Sequence, residues 1–226
     1  MRWLRRWWWW TLDYGFAARW QLRSALSRTD PRQFLSGSGR PVVVLPGVWE
    51  RWQFMLPVIR SLHRAGHPVH VVTVLGGNRW PVDAAAALVS DYLRARDLRD
   101  VVLVAHSKGG LIGKRVMMTD DDLRVSAMVA VNTPFSGSRY ARYVPFRSVR
   151  VFSPRDATIA ALAAAPAVNA RITSVFPRFD PHIPEGSHLV GGTNIVVDTG
   201  GHFRVLAFPP TVDAVLHVAA AAAPHR

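Results

Sequence analysis

The chain has 226 residues, of which 49% are hydrophobic, and it contains no cysteine. This length is typical of one α/β domain, the apolar content suffices for a sizeable core, and disulfide bonds and thiolate metal sites are excluded. The net charge of +13 comes almost entirely from arginine. A positive charge of this size suits phosphates or an anionic membrane surface, and a general preference for arginine in the source genome is the alternative explanation.

Residues 1–28 combine tryptophan with arginine, and five of the nine tryptophans lie within the first ten positions. Their apolar run, residues 7–12, is far too short to span a bilayer and shorter than a signal-peptide core. Because tryptophan favours the membrane interface and arginine pairs with lipid phosphates, we expect a peripheral membrane anchor on an anionic surface. The alternatives are a helix packed on the rest of the protein or on another copy, and, as the less favoured partner, single-stranded nucleic acid.

Glycine, serine and proline in residues 29–40 predict a linker, so the chain divides into an N-terminal segment, 1–39, and a folded domain, 40–226. Apolar runs predict strands at 41–45, 67–74, 101–104, 125–132, 170–176 and 194–197. Helical periodicity predicts helices at 52–65, 82–96, 111–118, 156–165 and 210–222. The alternation of strands and helices predicts an α/β fold, with a mainly parallel sheet covered by helices on both faces.

The most informative stretch is the apolar run 101–104 followed by residues 105–109, which read Ala-His-Ser-Lys-Gly, and by a helix. Small residues at both ends of this turn allow strand and helix to approach closely, and Ser107 is held in a strained conformation beside a helix N-terminus. The pattern resembles the nucleophile elbow of the α/β-hydrolase superfamily, with alanine in place of the usual first glycine. The resemblance covers residues 40–223, which are similar to small lidless bacterial lipases and esterases. It implies the α/β-hydrolase fold with little or no lid, residues 133–169 being the candidate cap.

A serine hydroxyl becomes nucleophilic when an imidazole takes its proton and a carboxylate orients that imidazole. In this superfamily the order along the chain is serine, acid, histidine. Asp180, just beyond the next-to-last strand, and His202, after the last strand, match that order with Ser107. Asp156 is the alternative acid, and Asp198 is expected to be a turn residue.

The resemblance also implies an oxyanion hole made by the backbone N–H groups of Val48 and Lys108. The loop of Val48 reads Pro-Gly where the family often has His-Gly, and the Lys108 side chain is expected either to face solvent or to attract acidic groups. The residues expected to line the substrate cleft are Gly47, Trp49, Thr133, Pro134 and Phe135.

We expect neither a metal site among the remaining histidines and acidic clusters nor a cofactor. His106 is expected to face away from the cleft, and His182 and His188 to lie on its rim. The other histidines are expected at the surface or at helix ends, namely His63, His67, His70 and His217.

The sequence therefore predicts a serine carboxylic-ester hydrolase that acts through an acyl-enzyme on lipid-like or acyl esters. One alternative is a membrane-associated acyltransferase or lipid deacylase. Another is a non-catalytic membrane- or nucleic-acid-binding module on a hydrolase scaffold. We expect a cytoplasmic protein or one peripheral at the membrane, with secretion left open.

Overall fold

The computed structural model describes residues 2–221, without the side chains of residues 2–4 and 147. The strands are β1 (Val42–Leu45), β2 (Val69–Val71), β3 (Val101–His106), β4 (Val125–Val131), β5 (Ile172–Phe179) and β6 (Thr193–Gly200). The helices are α1 (Arg2–Leu26), α2 (Leu56–Arg64), α3 (Val82–Ala95), α4 (Lys108–Met118), α5 (Arg147–Arg150), α6 (Ala157–Ala163) and α7 (Pro209–Ala220). Short 3-10 turns lie at Pro31–Phe34, Trp52–Met55, Thr73–Leu75, Arg139–Tyr143, Pro166–Arg171 and Arg204–Ala207.

The six strands form one sheet in the order β2-β1-β3-β4-β5-β6, and every neighbouring pair is parallel. The residues of β1, β2 and β3 are all buried, as expected of parallel strands covered on both faces. The prediction of an α/β fold with a parallel sheet is confirmed.

Alternate side chains of the central strands lie on opposite faces of the sheet and belong to two separate hydrophobic cores. Val43, Leu45 and Leu103 pack with α3, α4 and α6 on one face. Val42, Val44 and their even-numbered partners in β3 pack with α2 and α7 on the other face. Because all six strands are parallel, their carboxyl ends lie at one edge of the sheet, where the site lies.

Several local predictions need correction. The strand expected at 67–74 is shortened to three residues because the chain turns into the 3-10 segment Thr73–Leu75. His67 and His70, expected at the surface, are buried; they bond to the Arg40 carbonyl and to the Tyr92 hydroxyl. Asp198, expected in a turn, lies within β6 and pairs with an arginine of β5 at 2.9 Å.

The N-terminal segment forms the long helix α1, which packs on the face of the sheet that carries α2 and α7. Phe16, Ala17 and Trp20 of α1 join that core. The segment that follows also packs on the protein, since Phe34 is buried and its ring contacts those of Trp52 and His63. Within residues 2–221, no helix combines the length and the apolar character needed to cross a bilayer.

Candidate active site

The strand β3 ends in a sharp turn that presents Ser107 at the first residue before α4. Ser107 has φ 50° and ψ −117°, a conformation that costs about 1–3 kcal/mol for a residue with a side chain. The turn depends on glycine at the second and third positions after Ser107. A Cβ on Gly109 would overlap the Leu45 carbonyl, and one on Gly110 would overlap the Thr133 side chain. The sequence indicated a close approach between the helix and the strand that flank the turn, and in the structure the strand that Gly109 contacts is the neighbouring β1.

The structure brings the three predicted site residues together. The Ser107 hydroxyl lies 3.0 Å from Nε2 of His202, and Nδ1 of His202 lies 2.8 Å from Oδ2 of Asp180. All three side chains are buried. The other oxygen of Asp180 accepts hydrogen bonds from the backbone N–H groups of His182 and Ile183. The carboxylate is thus fixed on one side and directed at the imidazole on the other.

The two charges of this pair stabilise each other. Burial alone disfavours an imidazolium, but the Asp180 carboxylate, with smaller contributions from Asp13 and Glu50, raises the pKa of His202 above its ordinary value. Burial likewise disfavours a carboxylate, yet the His202 charge and the hydrogen bonds hold the pKa of Asp180 below its usual range. The site is therefore built to stabilise an imidazolium–carboxylate pair.

Asp13 of α1 contacts the histidine loop, which the sequence gave no reason to expect. Its fully buried carboxylate accepts hydrogen bonds from the backbone N–H groups of His202, Phe203 and Arg204, each at 2.8 Å. The one available signal was that Asp13 is the single carboxylate among residues 1–28, in a segment otherwise rich in tryptophan and arginine.

A second buried pair supports the site from within. His106 lies 2.9 Å from the Glu50 carboxylate through Nδ1, and its Nε2–H donates to the His202 carbonyl at 3.0 Å. Glu50 also accepts a hydrogen bond of 2.7 Å from the Gly47 N–H. The residue expected to face away from the cleft thus links the loop after β1 to the backbone of His202.

The side chain of Lys108 is buried, so the expectation that it faces solvent or attracts acidic groups is wrong. Its ammonium donates to the carbonyls of Asn78 and Trp80. Burial lowers the pKa of Lys108 to about 8. The Lys108 side chain thus links the start of α4 to the loop that follows the 3-10 turn Thr73–Leu75, and the backbone of Lys108 lies next to Ser107.

Ser107 and His202 open into a cleft of about 350 Å³. Of the residues expected to line it, Trp49 and Pro134 do so, and Val48, expected to contribute its backbone N–H, lines it as well. Thr133 and Phe135 are instead buried in the protein, and Gly47 is withdrawn into its loop by the bond to Glu50. The lining residues that the sequence did not indicate come mostly from α1 and the 140–152 region: Tyr14, Tyr140, Ala141, Val144, Val149 and Phe152.

His182 also lines the cleft, where its Nε2 lies 3.0 Å from the Tyr14 hydroxyl. Burial, followed by the positive charge of His202, lowers the pKa of His182 to about 4, so its ring is neutral at pH 7. The competing site candidates lie elsewhere. Asp156 caps α6 by accepting from the Thr158 N–H, and His188 is exposed. Among residues 2–221, no group of three or more metal-ligating side chains converges.

Comparisons with protein-family models and with curated protein sequences find no match. Solved structures do match. An extracellular α/β-hydrolase from a Paenibacillus species is 18% identical, with a TM-score of 0.55 over 80% of this chain and 98% of that one. The monoacylglycerol lipase of Paleococcus ferrophilus is 15% identical, with a TM-score of 0.58 over 82% and 97% of the two chains. The mature lipase BlEst2 of Bacillus licheniformis is 14% identical, with a TM-score of 0.62 over 85% and 96%. At these identities the matches show the fold, and the chain has the α/β-hydrolase fold that the elbow pattern predicted.

Proposed function

We propose that this protein is a serine carboxylic-ester hydrolase that acts through an acyl-enzyme on lipid-like or acyl esters. The observation that carries the proposal is the continuous hydrogen-bonded chain from Asp180 through His202 to Ser107 at the wall of a cleft. A non-catalytic module would not need these three side chains to converge. Names of structural neighbours, which include lipases, are consistent with the proposal.

In the proposed reaction, the Ser107 oxygen attacks the ester carbonyl while Nε2 of His202 takes its proton. The Asp180 carboxylate stabilises the imidazolium that forms. The backbone N–H groups of Val48 and Lys108 are assigned to the oxyanion of the tetrahedral intermediate, where one donor contributes about 3 kcal/mol. His202 then protonates the departing alcohol, and a water molecule, activated by the same imidazole, hydrolyses the acyl-enzyme.

The cleft favours an acyl group over a charged substituent near the reacting carbonyl. Val48, Val144, Val149 and Phe152 contribute apolar surface, and the imidazole of His182 is neutral. Acyl transfer at a membrane would use the same acyl-enzyme but requires an acceptor other than water, and hydrolysis is therefore the function we favour.

The test is the hydrolysis of short and medium p-nitrophenyl esters by the wild type and by Ser107→Ala. We expect the Ser107→Ala variant to lose nearly all activity. The control Ser36→Ala, which changes an exposed serine in the segment before β1, should keep it. Full activity in Ser107→Ala would refute the assignment.

We also propose that α1 binds an anionic membrane surface. Trp7, Trp8 and Trp10 are 53%, 63% and 42% exposed, although α1 is anchored to the protein by its other face. Arg5 and Arg6, on the same part of the helix, are exposed as well, and their charge complements lipid phosphates. Met1 and the side chains of residues 2–4, which belong to the expected anchor, lie outside the described residues.

Co-sedimentation with vesicles tests this surface. We expect the wild type to pellet with phosphatidylglycerol vesicles more than with phosphatidylcholine vesicles. Combined replacement of Trp7, Trp8 and Trp10 by serine should abolish pelleting, whereas Val190→Ser, at an exposed apolar residue elsewhere, should not. Equal pelleting of all three proteins would refute membrane binding by α1, and salt-dependent retention on oligonucleotides with no vesicle binding would favour nucleic acid.

A further inference from the structure

We propose that α1 is part of the catalytic apparatus, with Asp13 as a positioning residue that holds the backbone of His202 so that its imidazole reaches Ser107. This inference rests on the proposed esterase function. It assigns to the tryptophan-rich segment a role in catalysis in addition to any role at a membrane.

The contact is made by one carboxylate and three consecutive amides. Oδ2 of Asp13 accepts from the His202 N–H, and Oδ1 accepts from the N–H groups of Phe203 and Arg204, all at 2.8 Å. Asp13 is fully buried, and hydrogen bonds to an ionised acceptor in such surroundings are among the stronger ones in proteins. Three of them fix the orientation of the peptide groups on both sides of the His202 side chain.

The loop and the helix also lie so close together that there is no room for a side chain at positions 200 and 201. Gly200 and Gly201 precede the histidine, and a Cβ on Gly200 would overlap the ring of Trp9. A Cβ on Gly201, which has φ 121°, would lie 2.5 Å from Oδ1 of Asp13. Glycine at both positions therefore lets the chain pass directly against α1.

The opposite side of the same residue is held by the rest of the protein. The carbonyl of His202 accepts hydrogen bonds from Asn132 Nδ2 at 2.7 Å and from His106 Nε2 at 3.0 Å. With its N–H fixed by Asp13 and its carbonyl fixed by the sheet, His202 keeps freedom only in its side chain, and Asp180 restricts that. On the N–H side the hydrogen-bond acceptor is Asp13, which lies on a helix 189 residues away in sequence.

Asp13 also acts on the charge of the imidazole. Its carboxylate adds to that of Asp180 in raising the pKa of His202 against the effect of burial. If Asp13 had only a packing role, replacing its carboxylate by a neutral group of the same shape would leave the pKa of His202 unchanged.

The test is Asp13→Asn, which keeps the shape of the side chain, removes the charge and leaves one oxygen in place of two. We expect kcat to fall about 10- to 100-fold, the size of effect that a small displacement of a catalytic group produces, with KM changed less than about twofold. We also expect the pKa of His202, measured by NMR of the imidazole, to fall. Asp91→Asn, at an exposed aspartate of α3, is the matched control and should behave as the wild type.

Wild-type kcat and an unchanged His202 pKa in folded Asp13→Asn would overturn the inference. If this variant does not fold, hydrogen exchange of the wild-type protein decides: the amides of His202, Phe203 and Arg204 should be strongly protected, and rapid exchange of all three would overturn the inference. Absence of Ser107-dependent hydrolysis in the wild type would instead refute the proposed function, while the exchange and imidazole measurements would still report on the Asp13 contact.

Discussion

Replacement of Glu50 tests whether the buried pair beneath the site holds the fold together. In Glu50→Ala, both the His106 ring nitrogen and the Gly47 N–H lose the partner that they have in the buried interior. Breaking a buried pair in this way costs about 3–5 kcal/mol. For a chain of 226 residues, each kcal/mol lowers Tm by about 2–4 °C, so we expect Tm to fall by about 10 °C.

Glu50→Gln should behave differently, because glutamine keeps the shape of the side chain. Its amide offers an oxygen that can accept from the Gly47 N–H and an N–H group that can donate to a ring nitrogen. We therefore expect a loss of only about 1 kcal/mol, the net value of one hydrogen bond.

Urea denaturation followed by tryptophan fluorescence measures both effects. Glu185→Ala is the control, because Glu185 is the other glutamate of the chain and forms a more exposed pair with Arg139. It should change stability by less than about 1 kcal/mol. A small loss in Glu50→Ala, or equal losses in the alanine and glutamine variants, would refute the reasoning.

Three further predictions concern the site and its turn. Asp180→Asn should keep the fold and lower kcat by about 10⁴-fold, measured on the same p-nitrophenyl esters, because the imidazole loses its tautomer and its counter-charge. His202 must be neutral to accept a proton, and its pKa is raised above the ordinary 6.5. We therefore expect kcat/KM to fall as the pH drops through a value above 6.5. A fall in kcat/KM that begins only below pH 6.5 would contradict His202 as the base. Gly109→Ala should destabilise the protein by about 1–3 kcal/mol in urea denaturation, because the added Cβ meets the rigid Leu45 backbone, and unchanged stability would contradict the close approach at the elbow.

The parts of the fold that could be predicted from the sequence depend on local pattern. The apolar runs that became β1 and β3 indicated central parallel strands, and the small residues around Ser107 indicated the turn. Asp180 and His202 were predicted from the resemblance, since they follow the order of serine, acid and histidine after the last two strands. The structure brings both to Ser107, because the carboxyl ends of parallel strands share one edge of the sheet.

The parts that could not be predicted depend on contacts between distant segments. Nothing near Asp13 in sequence indicates that it bonds to the backbone at His202, and nothing near Glu50 indicates a partner at His106. Lys108 was expected at the surface because lysine usually lies there, but two carbonyls from a loop about 30 residues earlier satisfy its ammonium in the interior. In each case a buried charged group is explained by tertiary partners that no local pattern specifies.

Covalent labelling by a fluorophosphonate tests the central claim most directly, because the reagent reacts with a serine only when a neighbouring base activates its hydroxyl. Mass spectrometry of the labelled wild type should locate the phosphonate on Ser107, and His202→Ala should label far more slowly. Absence of labelling in the folded wild type, or a label on another serine, would contradict the account.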